Sequence, residues 1–331
     1  MKNHNYSFSQ GEPDFRQAVA EWYKKRFHVD LDQSEVIALM GSKEGLANIA
    51  RAFVNPGDRV LVPDPSYPVY NNASTILNEG VAVPMALLNE NKFKPDLETI
   101  DPEKARMMFL NYPNNPTSAT VDKKFLKNAV EFARKNNIIL CYDNAYSETS
   151  FDGYKAPSIL EIDGAMDVAI EFNSCSKTFN MTGDRIAFAA GNKQLIRGLA
   201  KVKSQVDSGP PVYIQKVAIT ALQSYHSGEQ PEFLKANNRI YSERRDLLVK
   251  NLCRMGFLCE KPKATFYVWA NCKESSTEFV NKLLSIGVVA TPGVGFGEHG
   301  ENFARFALTQ PKERIEEACK RITAFFKCTC L

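Results

Sequence analysis

DVAIEFNSCSKTFNMTGDR, residues 167–185, is the stretch on which the reading of the fold turns. A strand-like apolar run, Asp167–Phe172, passes at once into small hydroxyl residues and Lys177; Arg185 follows eight residues on, with Asp184 directly before it. The same texture recurs upstream. EVIALM (35–40) leads into GSKEGLANIARAFV (41–54), and DRVLVPDP (58–65) into the helix-like SYPVYNNASTIL (66–77). RMMFLNYP (106–113) precedes the amphipathic KKFLKNAVEFARKNN (123–137), and IILCYD (138–143) follows it. Runs that are apolar throughout, rather than alternating, suit strands covered on both faces, and the intervening helices provide the cover. An α/β fold with a mostly parallel central sheet covered by helices is expected.

After about residue 225 the texture changes. PEFLKANNRIYSERRDLLVKNLCRMG (231–256) reads as one long amphipathic helix with Ile240, Leu247, Leu248 and Leu252 on its apolar face. Shorter strand candidates follow: FYVWA (266–270), GVVATPG (287–293) and FARFALT (303–309). The expected organisation is a large domain over residues 1–225 and a smaller α+β domain over 226–331, with a binding cleft between them.

The composition narrows the function. With 331 residues, 44% hydrophobic and 24% charged, the chain can bury a substantial core. A net charge of +3, from 41 basic and 38 acidic side chains spread along the chain, gives no reason to expect nucleic acid or an anionic membrane as partner. No apolar run approaches bilayer length and the start is not a signal peptide, so a cytoplasmic protein is expected. The eight cysteines lack metal-type spacing and read as reduced thiols. The terminal CTCL has the outline of a prenylation box, but it lacks aliphatic middle residues and a basic run, and reads as chance.

In open α/β sheets ligands bind beyond the carboxyl ends of the strands, and here the informative polar residues cluster at those ends. Gly41-Ser42-Lys43-Glu44-Gly45 opens a helix and leaves backbone N–H groups free for a phosphate, although such turns also simply cap helices. Asn114-Asn115-Pro116-Thr117-Ser118 presents amides that could equally be turn chemistry. Asp143 ends an apolar strand and needs either a helix N-terminus to cap or a cationic ligand atom. Lys177 could snorkel to water; desolvated, it would instead offer a neutral nucleophilic amine. Taken together, a phosphate cradle, an amide, an acid and an amine describe a site for a phosphorylated, aldehyde-bearing, basic ring.

YPNNPTS (112–118), DNAYSE (143–148) and SCSKTFNMTGDR (174–185), in that order, resemble the fold-type I pyridoxal-phosphate (PLP) aminotransferases, class I/II. FSQGEPDFRQAVAEWY, GSKEG, DPSYPVY, KATFYVW and FGEHGE look most similar to the LL-diaminopimelate/aspartate aminotransferase-like branch, over essentially the whole chain from Tyr6 onward. The resemblance implies that Lys177 anchors PLP covalently and shuttles a proton at the substrate α-carbon. Asp143 would pair with the pyridine nitrogen, Tyr146 and Asn115 would donate to the phenolic oxygen, and Tyr67 would stack on the ring. Ser42, Lys43, Ser174, Ser176 and Arg185 would surround the phosphate, joined by Tyr6 from a neighbouring subunit in a homodimer with shared sites. Arg305, assisted by Asn115 and Tyr67, would hold the substrate α-carboxylate, and no metal is implied.

The chain departs from the family pattern in four places. It starts almost at Tyr6, where members carry several dozen further residues, so part of the arm and lid is expected to be missing. Asp184 stands where a large aromatic is usual; if it reaches Arg185 it competes with the phosphate and weakens PLP retention. Ser118 replaces a glycine and would be strained if that glycine holds a positive φ. Ala187 replaces another.

The expected function is ping-pong transfer of an amino group between a diaminopimelate- or aspartate-like amino acid and a 2-oxo acid such as 2-oxoglutarate. A carbon–sulfur lyase or decarboxylase of the same fold, and a truncated non-catalytic PLP-binding homologue, are the alternatives. A nucleotide-binding dehydrogenase fails because no glycine-rich dinucleotide fingerprint follows the first strand.

Overall fold

The computed structural model describes residues 4–328. Seven strands form the first sheet: β1 (Val36–Leu39), β2 (Arg59–Asp64), β3 (Val81–Ala86), β4 (Ala105–Asn111), β5 (Ile139–Asp143), β6 (Ala169–Ser174) and β7 (Ala187–Gly191), in the order β1-β7-β6-β5-β4-β2-β3. Neighbours pair in parallel except β7, which runs antiparallel to both β1 and β6. Because side chains alternate across a strand, each strand feeds two cores. Met108 and Leu110 of β4, with Leu140 and Tyr142 of β5, pack with Phe15, Trp22 and Tyr23 of the helix Pro13–Phe27. Met107, Phe109, Ile139 and Cys141 face the other way, toward Leu46 and Ile49 of the helix Ser42–Phe53 and Leu195 and Leu199 of the helix Lys193–Lys203. Both faces are covered, which is why these strands read as unbroken apolar runs.

A buried carboxylate interrupts one of them. Glu171 on β6 accepts hydrogen bonds from Tyr23 Oη, Asn144 Nδ2, Ser158 Oγ, Asn173 Nδ2 and the Ile159 N–H. Five donors offset its desolvation.

A second sheet of β8 (Tyr267–Asn271), β9 (Thr291–Pro292) and β10 (Phe303–Ala307), ordered β8-β10-β9, is antiparallel throughout. Its core joins Val268, Ala304 and Phe306 to Leu248 and Leu252 of the helix Glu232–Arg254, and Ala145 and Tyr146 from the end of β5 enter the same cluster. The active-site strand end and the smaller sheet are thereby packed together.

Three local expectations differ from the structure. SYPVYNNASTIL is not a helix but a run of turns ending in a 3-10 turn at Ile76–Asn78. Its hydroxyls bond away from a helical ladder, Ser74 Oγ to the Leu46 carbonyl and Thr75 Oγ1 to that of Tyr70. GVVATPG contributes only Thr291–Pro292 to a strand, since the Val288 N–H is taken by the Leu283 carbonyl and Pro292 has none to give. On the long helix Ile240 is 47% exposed, whereas Arg245 is fully buried, paired with Asp152 and Asp246 and donating to the Pro262 carbonyl.

Among the described residues no helix is long and apolar enough to cross a membrane, and no cluster of His, Cys, Asp and Glu could hold a metal. Cys141, Cys175, Cys253, Cys259, Cys272 and Cys319 are free thiols. The terminal CTCL lies, beyond the backbone of Cys328, outside the described residues.

Candidate active site

The strand order brings the ends of β4, β5 and β6 side by side, with the turn after β1 two strands further on, beyond β7. Asn111 at the end of β4 pairs in register with Asp143 at the end of β5, and its Nδ2 donates to the Asp143 carbonyl at 2.8 Å. The same Asn111 accepts the Asn115 N–H at 2.8 Å, which fixes the NNPTS loop over the sheet edge.

Gly41 holds φ +105° and starts the helix Ser42–Phe53 without a side-chain cap. The first N–H groups of that 12-residue helix therefore face outward with the positive end of its dipole, which is an anion site by construction. Over Gly41 lies the Arg185 guanidinium, donating to the carbonyls of Thr182 (2.8 Å) and Met40 (3.4 Å) and to Ser176 Oγ (3.4 Å). A Cβ on Gly41 would overlap Arg185 Nη2. Arg185 itself sits at φ 52°, a left-handed conformation that costs a bulky residue about 1–3 kcal/mol. Beneath the cradle the fully buried Lys203 ties Glu44 (3.1 Å) to Asp207 (2.7 Å). Gly41→Ala is expected to dislodge Arg185 and weaken binding of PLP by about tenfold or more, as for loss of a charge-assisted contact; equilibrium dialysis against PLP checks it.

Asp143 is buried. Its Oδ2 accepts from Tyr70 Oη at 2.7 Å and its Oδ1 from the Ala145 N–H at 3.3 Å. Burial raises its pKa to about 6, against the Tyr70 and Ala145 hydrogen bonds and the Lys177 charge, which favour the ionised form. The sign of the linkage follows. A carboxyl whose folded pKa is raised costs stability when ionised, and that cost is full above the folded value and fades toward the unfolded one. Relative to Asp143→Asn, the cofactor-free protein is expected to gain about 1 kcal/mol of stability as pH falls from 7 to 5. Denaturant unfolding of both proteins at the two pH values measures it.

Lys177 stands one turn past β6, with Nζ 5.5 Å from the Phe266 ring centroid and no ion-pair partner among the described residues. Desolvation, with Arg185 and Arg305 adding to it against Asp143, holds its pKa below the ordinary lysine value. The neutral amine is correspondingly more accessible than on a solvated lysine.

On the smaller sheet, β10 carries Arg305. Its Nη1 donates to Asn115 Oδ1 at 2.7 Å and its Nη2 to Thr291 Oγ1 at 3.4 Å. The guanidinium lies 4.2 Å from the Tyr267 ring centroid and 4.7 Å from that of Phe296, and its buried Nε has no partner. Tyr146 Oη and Tyr267 Oη are 3.3 Å apart.

Ser118 does hold a positive φ, 61°, and its Oγ bonds Thr265 Oγ1 (2.7 Å) and the Tyr267 carbonyl (3.0 Å). The strain expected there is met by two hydrogen bonds that join the NNPTS loop to β8 and its approach.

Other expected residues gather less closely. Ser174 is buried at the end of β6 and caps nothing. Lys43 Nζ lies 5.3 Å from the centroid of Tyr67, whose ring is edge-on to Tyr70. Tyr6 is 89% exposed and makes no hydrogen bond to the other site residues among those described. Asp184 is exposed, and no ion pair joins it to Arg185 among the described residues, so the competition conditional on that contact is not built into this geometry. Tyr70, Tyr267 and Phe296 touch site residues and were not assigned from sequence. Tyr70 and Tyr267 do lie within the quoted DPSYPVY and KATFYVW, but only their contacts distinguish them from core aromatics.

The residues fit a phosphorylated pyridine. The capless helix start beneath an arginine suits a phosphate, and the buried carboxylate with only two donors retains acceptor capacity. The orphaned Arg305 Nε marks a donor awaiting a ligand.

Comparison with known proteins agrees. The family described as "Aminotransferase class I and II" matches residues 1–322. An LL-diaminopimelate aminotransferase of Moorella thermoacetica is 48% identical over 328 residues, covering 97% of this chain and 83% of its own. One of Gloeobacter violaceus is also 48% identical, over 331 residues covering 97% and 83%. Among solved structures, substrate-bound BacF of Bacillus subtilis superposes with a TM-score of 0.91 at 39% identity, covering 96% of this chain and 81% of that one. The aromatic aminotransferase of Pyrococcus horikoshii gives 0.91 at 29% identity, covering 98% and 88%. The chain belongs to the class I and II aminotransferases, a family of PLP-dependent enzymes.

Proposed function

We propose that this aminotransferase moves the amino group of a diaminopimelate- or aspartate-like amino acid to a 2-oxo acid such as 2-oxoglutarate, by ping-pong exchange on PLP. The observation that carries the reading is the nearness of Lys177 to both Asp143 and the Arg305–Asn115 pair, 2.7 Å separating Arg305 Nη1 from Asn115 Oδ1. The relatives named LL-diaminopimelate aminotransferase support the choice of donor. PLP, when bound, supplies an electrophilic carbon for the donor nitrogen and a ring that draws electrons from the bond broken at the α-carbon.

In this reading Ser42, Lys43, Ser174, Ser176 and Arg185 hold the phosphate, with Tyr6 of a second copy in a homodimer with shared sites. Asp143 pairs with the ring nitrogen and Tyr67 gives the ring a stacking face. Tyr146 and the Asn115 amide donate to the phenolic oxygen; the Asn115 Oδ1 is already engaged by Arg305, which leaves its Nδ2 for that bond. Arg305 grips the α-carboxylate as a planar fork, with Asn115 and Tyr67 beside it. The neutral Lys177 amine takes the proton from the α-carbon and, in the second half-reaction, returns one there. Residues 1–225 form the cofactor-binding domain and 226–331 the smaller one, and the protein works in the cytoplasm.

A panel of amino donors with 2-oxoglutarate, followed by glutamate formation, tests the reading. The highest kcat/KM is expected with LL-diaminopimelate or aspartate. Pyruvate and ammonia released from cystathionine, without glutamate, would assign a carbon–sulfur lyase instead. PLP bound with no turnover on any donor would assign a non-catalytic homologue.

A further inference from the structure

Tyr70 is a fully buried phenol to which the mechanism above gives no task. Its ring stacks on Phe109 of β4, with centroids 5.1 Å apart and planes 18° from parallel. Its backbone is pinned on both sides, the N–H to the Tyr67 carbonyl and the carbonyl to Thr75 Oγ1 (2.8 Å). So held, the ring directs its hydroxyl at a single group, Oδ2 of Asp143, at 2.7 Å. That is a short, well-formed O–H···O hydrogen bond. Burial and the facing carboxylate push the phenol well above its ordinary pKa, so it remains a donor. The other groups around the carboxyl are Lys177 beyond β6, Tyr146 and Tyr142 on its own segment, and the Ala145 N–H at 3.3 Å. Tyr70 supplies the shorter of its two hydrogen bonds.

We propose that Tyr70 is a positioning residue for the reaction: its hydroxyl fixes the Asp143 carboxylate and keeps it charged, so that the cofactor's ring nitrogen meets an oriented anion. The inference rests on the reading in which Asp143 pairs with that nitrogen. It also gives the segment Tyr67–Tyr70 two separate duties, the first tyrosine beside the ring and the second behind the acid. The rigid stack on Phe109 is what makes the contact a fixed one, since a phenol free to rotate would share its donor with water.

Tyr70→Phe keeps the ring and the stack and removes only the donor. Three quantities are read on purified protein: the unfolding midpoint, the dissociation constant for PLP by equilibrium dialysis, and the titration midpoint of the Asp143 carboxyl by infrared difference against Asp143→Asn in the cofactor-free protein. The expected result is an unfolding midpoint close to that of the parent, a carboxyl midpoint displaced upward, and PLP affinity weaker by about tenfold, the scale of one lost hydrogen bond to a charged group. A merely structural role would lower the unfolding midpoint and leave the carboxyl titration in place, and that result overturns the inference. Parent-like PLP affinity and titration in Tyr70→Phe, with Asp143→Asn clearly weakened, overturn the inference alone. If Asp143→Asn binds PLP as tightly as the parent, the reading of Asp143 falls and the inference with it.

Discussion

Lys177→Ala is expected to lower kcat by about 10⁴-fold or more, because in the proposed reading one side chain both anchors the cofactor and moves the proton at the α-carbon. The structure argues for this lysine over the chain's other cations by its surroundings. Lys203 is more deeply buried, but it is locked between Glu44 and Asp207. Lys43 is exposed at the cleft's rim, over Tyr67. Among the described residues Lys177 combines partial burial with two nearby guanidinium groups and no ion pair to a carboxylate, a setting that favours the neutral amine. Borohydride reduction of the PLP-loaded parent, followed by peptide mass spectrometry, is expected to place the cofactor on the peptide carrying Lys177. The alanine variant should show no labelled lysine. Labelling of Lys43 in the parent, or turnover in the variant within tenfold of the parent, would remove Lys177 from the mechanism.

The helix-covered sheet was legible because burial on both faces leaves an unambiguous mark, an unbroken apolar run such as IILCYD or RMMFLNYP. β3 and β7 left weaker marks. β3 is an edge strand with Val81 exposed and Pro84 in its middle, and β7 is a short run of small residues just past the stretch that draws attention for its chemistry. Asp143 drew attention for a related reason: a carboxylate at the end of an apolar run needs a partner, and it has one in Tyr70. Tyr70 and Tyr267 were not legible, because an aromatic beside a core strand reads as packing until its hydroxyl or its face is seen to touch Asp143 or Arg305. Asp184 shows the converse limit. Adjacency in the chain suggested competition with the phosphate, yet Arg185 in its left-handed conformation turns its guanidinium to the carbonyls of Met40 and Thr182. Neighbours in sequence share a backbone and need not share a side-chain direction.

Arg305→Leu is expected to lower kcat/KM for α-amino acids by about 10³-fold, since a bidentate ion pair is lost in a partly dry site. Arg305→Lys should recover little of it. The guanidinium carbon lies over both the Tyr267 and the Phe296 ring, 4.2 and 4.7 Å from their centroids, while one nitrogen engages Asn115. A lysine ammonium could make the charge but neither the double ring contact nor the fork. The loss should also carry a specificity signature. An amine lacking the carboxylate never used the contact, so its slow reaction with the PLP form should change by no more than about threefold, as for a contact outside its path. PLP affinity should hold as well, because the proposed reading sets Arg305 on the substrate carboxylate and assigns the phosphate to the residues around Gly41 and Arg185. Measuring α-amino acid and simple amine side by side, with PLP affinity determined separately, distinguishes a carboxylate clamp from a residue that only supports the smaller sheet. Equal losses on both substrates would assign Arg305 to structure, and the alternating exposure along β10 would then be its whole explanation.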